Sequence, residues 1–134
     1  RVVFEITESV LVHNEAADII ARLRRLGVQV ALDDFGTGYA ALSYLRRFEL
    51  DKIKIDKSFI QTHDNDPRNT LVVRAICDLA HQLDLEVIAE GVETTEHVAF
   101  VKSLNCRFAQ GYLFGRPQPA DQCLPSLRSA RAIT

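Results

Sequence analysis

Acidic or amide side chains stand at or near the ends of five short β-rich runs: Glu5, Asp33 with Asp34, Asp56, Glu90 and Gln110. If the fold gathers these ends at one place, the carboxylates repel one another, because unit charges about 4 Å apart cost roughly 4 kcal/mol at an effective dielectric near 20. Cations must then neutralise them. Hard oxygen donors without histidine or cysteine favour Mg2+ or Mn2+ over zinc, and two such ions about 3.5 to 4 Å apart suit phosphodiester hydrolysis, one generating the nucleophile and both stabilising the charged transition state. The adjacent Asp33 and Asp34 fit this use: one carboxylate can bridge two metals while its neighbour at the loop edge binds the second. A single acidic residue near a strand end is more often a helix cap or a surface ion pair; the joint arrangement reverses that expectation.

The elements that must position these residues alternate between strand and helix. Val2 to Ile6 is a compact apolar run interrupted by Glu5, and Asn14 then caps an expected helix that runs through Leu26 and stops at Gly27. Val28 to Leu32 is nearly continuous in apolar character, as a parallel strand buried on both faces should be, and leads into Asp33 and Asp34. After a glycine loop from Phe35 to Gly38, a short helix is expected over Ala40 to Phe48 and a third strand over Lys52 to Asp56. Pro67 sits where helices start, and Val72, Val73, Ile76, Leu79, Ala80 and Leu83 predict one core-facing stripe. Glu86 to Ala89 reads as a fourth strand, Thr95 to Leu104 as a helix, Arg107 to Gln110 as a fifth strand, and a weak last helix follows Pro119. One α/β domain spans 1–134, with no linker or low-complexity tract inside it.

Such βα units build either a doubly wound sheet or a barrel, and periodicity cannot separate the two. The polar strand ends can, since a (β/α)8 barrel converges them on one mouth whereas an open sheet spreads them along an edge. The expected architecture is a partial TIM-type (β/α)8 barrel of about five βα units, with the N-terminal strands missing; a complete barrel needs about 250 residues and eight strands. The absence of methionine points the same way, to a piece of a longer protein.

Five ordered blocks, FEITES, ALDDFGTGY, KIKIDKSF, IAEGVET and QGYLFGRP, extend over nearly the whole chain, and together they resemble the signature blocks of the EAL family of cyclic-di-GMP phosphodiesterases. The resemblance implies metal-dependent hydrolysis of cyclic-di-GMP to linear pGpG by the intact domain. It makes Glu5 a metal ligand, Asp33 the bridging ligand, and Asp34 and Glu90 ligands of the second metal. Lys54 would hold or polarise the attacking water, Asp56 would support that water, Gln110 would order the mouth, and Glu8 with Glu93 would brace the loop from Gly36 to Ala41. The family's eponymous tripeptide and the asparagine ligand after it would lie upstream of Arg1, so the chain alone is expected to be inactive. Where the family often shows two serines after the loop tyrosine, this chain has Ala40 and Ala41. The alternative to catalysis is a cyclic-di-GMP sensor that no longer cuts, or a dimerisation module using Ala40 to Phe48; a homodimer and regulatory domains in the same polypeptide are the expected partners.

Blander readings stand beside these. Lys54, between Ile53 and Ile55, fits an outward-facing strand charge equally well, and Gly36 and Gly38 are turn glycines with positive φ, since no phosphate-loop spacing surrounds them. Asp34, Phe35 and Gly36 spell the kinase metal motif, but its companion motifs are absent. His13, His63, His81 and His97 lack mutual metal spacing, and Cys77, Cys106 and Cys123 read as reduced, partly buried thiols. That cysteine usage favours the cytoplasm, without excluding a membrane anchor elsewhere in a longer protein. A formal net charge of −2 offers no basic stripe for DNA, and the segment has neither a long apolar span for membrane contact nor a basic leader.

Overall fold

The computed structural model describes residues 2–36, 45–62, 66–119 and 122. Its elements run β1 (Val3–Thr7), α1 (Glu8–Leu11), α2 (Ala16–Arg25), β2 (Gln29–Phe35), β3 (Lys52–Ile55), α3 (Lys57–Gln61), α4 (Pro67–Gln82), β4 (Glu86–Ala89), α5 (Thr95–Ser103) and β5 (Phe108–Ala109). The expected glycine loop beyond Gly36, most of the helix over Ala40 to Phe48, His63, Cys123 and the helix after Pro119 lie outside the described residues; Leu45 to Arg47 are helical.

The five strands form one parallel sheet in the order β1-β2-β3-β4-β5. A doubly wound sheet reverses its strand order at a switch point, whereas a barrel adds each strand beside the last. Uninterrupted sequential order is therefore the arc of a (β/α)8 barrel, five strands of it among the described residues. Pleating sends alternate residues to opposite faces. Ile6, Val30, Leu32, Ile53, Ile55, Val87 and Ala89, all buried, form the core with Leu11, Ile20, Ile60, Val73, Cys77, Ala80 and Val101 from the helices. Each of the valine, leucine and isoleucine side chains among them, fully buried, contributes about 1.5–3 kcal/mol. That apolar layer leaves the other face of the strands free to carry Glu5, Asp33, Lys52, Lys54 and Glu86.

The helices start and stop for local reasons. Asp66 caps α4 by accepting from the Arg68 N–H at 2.9 Å with Pro67 in the first turn, and Thr94 caps α5 by accepting from the His97 N–H at 3.2 Å. Gly27, at φ 79°, follows the C-cap of α2 in the left-handed region a helix stop requires. Three expectations are corrected. The residue before α2 is Glu15 and makes no side-chain cap bond, so Asn14 is not the cap. Val72 and Leu83 are exposed, because the core stripe of α4 runs through Val73, Ile76, Cys77 and Ala80. The second strand ends at Phe35 rather than Leu32, so both aspartates belong to it.

Cys77 on α4 and Cys106 before β5 are buried free thiols with their Sγ atoms 3.6 Å apart. Contact with Cys106 and burial both push the Cys77 thiol up. The same contact pulls the Cys106 thiol down, so burial rather than a raised pKa is what shields it; with both sulfurs enclosed, neither should be alkylated in the native protein at neutral pH. Iodoacetamide labelling followed by peptide mass spectrometry should find both unmodified until denaturant is added; rapid native labelling at either position would contradict this packing.

Candidate functional site

The inward face of the sheet is built around one cation. Lys54, in the middle of β3, is only 3% exposed, and its ammonium donates to Glu5 Oε2 at 2.8 Å, Asp33 Oδ1 at 2.9 Å and Glu90 Oε1 at 2.6 Å. These partners come from β1, β2 and the residue after β4, so four consecutive strands converge on it. Burial alone would lower the Lys54 pKa and is the largest single influence; the bonds to Glu5, Glu90 and Asp33 outweigh it and push the value up. With these three carboxylates around it, Lys54 is held as an ammonium. The outward-facing reading of Lys54 is excluded.

Asp33 and Asp34 are neighbours on a strand and would ordinarily point to opposite faces. The register of β2 against β3 shifts between Leu32 and Phe35, and Asp34 takes φ 55°. A bulge of this kind re-aims a side chain. As a result Asp33, Asp34 and Glu90 each offer a carboxylate oxygen within 4.8 Å of the others. Burial raises the Glu90 pKa; Lys54 lowers it, and the charges of Asp33 and Asp34 raise it again. The three carboxylates are thus crowded beyond what one lysine neutralises.

The remaining sequence-derived candidates fall around this centre. Asp56 is the N-cap of α3, an element the sequence reading missed: its Oδ1 accepts from the Ser58 N–H at 2.9 Å and from the Ser58 hydroxyl. Burial pushes the Asp56 carboxyl up, but the bonds from Ser58 prevail and hold it below 3.8. Asp56→Ala should cost about 1 kcal/mol, read as a lower denaturant midpoint. The depressed folded pKa means the stability linked to ionised Asp56 is complete above pH 3.8 and is lost as pH falls through the folded value, so the difference between variant and wild type should shrink there. An undiminished difference below that window would refute the capping account.

Glu8 opens α1, and its Oε1 is buried with no hydrogen-bond partner among the described residues. Glu93 accepts from Gln61 Nε2 at 3.1 Å. The loop these two glutamates are expected to brace lies largely outside the described residues. Gln110 is exposed; its N–H donates to Ala89 at 2.8 Å and its carbonyl accepts from the Val92 N–H at 3.0 Å, so its backbone ties β5 to the end of β4. Gly36 has φ 100°, the turn conformation expected. Beneath the site, Lys52 pairs with Glu86 and lies 5.2 Å from the Phe108 ring centroid, a second charged layer on the same strand face. The spacing of Lys52 to Lys54 and of Glu86 to Glu90 carries that signal, although the sequence reading did not use it.

The sequence profile described as EAL domain matches residues 1–117. Over 129 residues the chain is 44% identical to the cyclic di-GMP phosphodiesterase NbdA of Pseudomonas aeruginosa, covering 95% of this chain and 16% of that protein. It superposes on the PaMucR phosphodiesterase in complex with c-di-GMP with a TM-score of 0.83 at 40% identity, covering 90% of this chain and 49% of that one. It also matches the manganese and cy-diGMP complex of BlrP1 from Klebsiella pneumoniae with a TM-score of 0.80 at 35% identity, over 86% of this chain and 30% of that one.

Proposed function

Because the chain belongs to the EAL domain family, we propose that its inward-facing cluster is the greater part of a site that hydrolyses one phosphodiester of cyclic-di-GMP to linear pGpG. The observation that carries this reading is the burial of Lys54 among Glu5, Asp33 and Glu90, with Asp34 turned to the same side by the β2 bulge. The donor set is all carboxylate oxygen, which suits Mg2+ or Mn2+. Two ions held by Glu5, Asp33, Asp34 and Glu90 would supply Lewis-acid polarisation of the phosphodiester and a lowered pKa for water.

The protein's own contribution centres on Lys54. An ammonium has three N–H donors and no acceptor, so Lys54 cannot take the proton from water. It holds the attacking water by donating to its oxygen, or stabilises charge developing on the phosphoryl group. Both require it to exchange one carboxylate for a substrate or water oxygen, a change favoured when cations draw the carboxylates away. Asp56 steadies this end of β3 through its cap, Gln110 orders the mouth through its link to β4, and Glu8 and Glu93 brace the neighbouring loop. The same reading places regulatory segments elsewhere in the polypeptide, a homodimer through the segment 40–48, and the protein in the cytoplasm, which the free thiols support.

The test is to follow pGpG production from cyclic-di-GMP, with Mg2+ or Mn2+, by this chain alone and again with an upstream segment carrying the family's glutamate and asparagine. The expected result is no turnover by the chain alone and metal-dependent turnover by the longer protein. Robust hydrolysis by the chain alone would overturn the view that its site is incomplete; failure of the longer protein to cut would overturn the assigned reaction.

A further inference from the structure

His97 stands half-buried in the first turn of α5, outside the carboxylate cluster. Its backbone N–H donates to Oγ1 of the N-cap Thr94 at 3.2 Å, and its ring Nδ1 accepts from the Glu93 N–H at 3.2 Å. These bonds run in opposite directions across the start of the helix, as in a capping box, with an imidazole in the place usually taken by glutamate or glutamine. A ring nitrogen accepts only when it carries no proton, so the bond requires the neutral imidazole with its hydrogen on Nε2. Glu93 is thereby held through its backbone from α5. Its side chain is held from α3, where Gln61 Nε2 donates to Glu93 Oε1 at 3.1 Å. The two helices also pack against each other.

These helices follow the two strands whose ends meet in the cluster. Asp56 caps α3 directly after β3, and the turn from Glu90 to Glu93 leads from β4 into α5. Across that gap the Lys54 ammonium donates to Glu90 Oε1 at 2.6 Å. Within the turn, Gly91 takes φ 68° and lies so close to α3 that an added Cβ would come 3.1 Å from the Lys57 Cα. The Val92 N–H is held by the Gln110 carbonyl at 3.0 Å, and the next N–H, that of Glu93, is held by His97. Resting on the proposed hydrolysis of cyclic-di-GMP, we infer that His97 is a positioning residue for that reaction: as a neutral acceptor it locks Glu93 between α5 and α3, and so fixes the spacing at which Lys54 and Glu90 meet. It acts through Glu93 and not by contact with the reacting atoms. Without the acceptor the Glu93 N–H turns to water at little cost, because Glu93 is exposed, while its bond to Gln61 loses the anchor that aligns it. The loss falls on rate more than on stability.

The test compares wild type, His97→Ala and His97→Asn in the full-length protein. Asparagine places an amide oxygen near the position of Nδ1 and so keeps an acceptor for the Glu93 N–H. Proton–nitrogen correlation spectra of histidine-labelled protein in alkaline buffer, with the His97 signal assigned by its loss in the variants, should show the ring hydrogen on Nε2. Hydrogen exchange at the Glu93 amide should be about tenfold faster in His97→Ala and close to wild type in His97→Asn. In His97→Ala, kcat for cyclic-di-GMP should fall about tenfold, short of the roughly 10²-fold that a misplacement of about 1 Å can cost, with KM within about twofold of wild type. The melting temperature should drop by only a few degrees. His97→Asn should recover most of the rate. A ring hydrogen on Nδ1, an unchanged kcat in His97→Ala, a rate lost only in step with the folded fraction, or failure of His97→Asn to restore exchange and rate would overturn this role. Wild-type protein that shows the Nε2 tautomer and a protected Glu93 amide yet cuts no cyclic-di-GMP would instead sink the hydrolysis on which the role rests.

Discussion

Asp33→Asn in the full-length protein lowers kcat for cyclic-di-GMP by about a thousandfold or more and leaves the fold in place. The substitution keeps the shape and one acceptor oxygen for Lys54, so the circular dichroism spectrum and melting temperature should change little. What it removes is a negative charge shared among Lys54, Asp34 and Glu90, all gathered within reach of it. A ligand charge lost from a metal site that stabilises the transition state by several kcal/mol costs about a factor of ten for every 1.36 kcal/mol forfeited. Metal affinity measured by calorimetry should fall in parallel. Near-normal magnesium-dependent hydrolysis in this variant would refute the role given to Asp33.

Lys54→Met is expected to damage both stability and rate, and metal should separate the two effects. Methionine keeps the buried stem but leaves Glu5, Asp33 and Glu90 facing one another without a counter-charge. Removing one partner from a buried ion pair costs about 3–5 kcal/mol. The Glu5 side chain here is 47% exposed, so solvent screens part of the repulsion and a loss of about 2–3 kcal/mol is expected. Mg2+ or Mn2+ should restore much of this stability, since cations can replace the missing ammonium. It should not restore turnover, which is expected to fall about 10²- to 10³-fold, as for loss of a preorganised donor, with KM nearly unchanged. A variant changed only in KM, or one as stable as wild type in chelator, would count against Lys54 as the hub of the site.

The convergence of the strand ends could be read from the sequence because the chain repeats one signal: an apolar run that ends in an acidic or amide residue. Asp33, Asp34 and Glu90 were found that way, and the structure brings all three together. Other parts were hidden for physical reasons. The four residues of α1 and the five of α3 are too short to show helical periodicity. That Asp56 also caps a helix was hidden because a cap and a strand-end site carboxylate use the same residue types, and the cap shows only in its bonds from Ser58. The face taken by Lys54 was undetermined because β3 is buried on both sides, so alternation with isoleucine carries no sign of direction. The β2 bulge was also invisible, since it depends on the left-handed backbone of Asp34, which aspartate adopts without any distinctive neighbour in sequence.

The sequential strand order also decides when the cluster can exist. Each strand pairs only with its neighbours in the chain, yet Lys54 draws on β1, β2 and the end of β4. As the chain leaves the ribosome, β1 to β3 can dock first, giving an ammonium with two of its three acceptors. Only the arrival of β4, after the whole of α4 has formed, delivers Glu90 and with it the third carboxylate of the group it makes with Asp33 and Asp34. If the proposed reaction holds, partly made protein would present no complete divalent-cation site, and hydrolytic competence would be a late event in biogenesis, tied to the docking of a single strand.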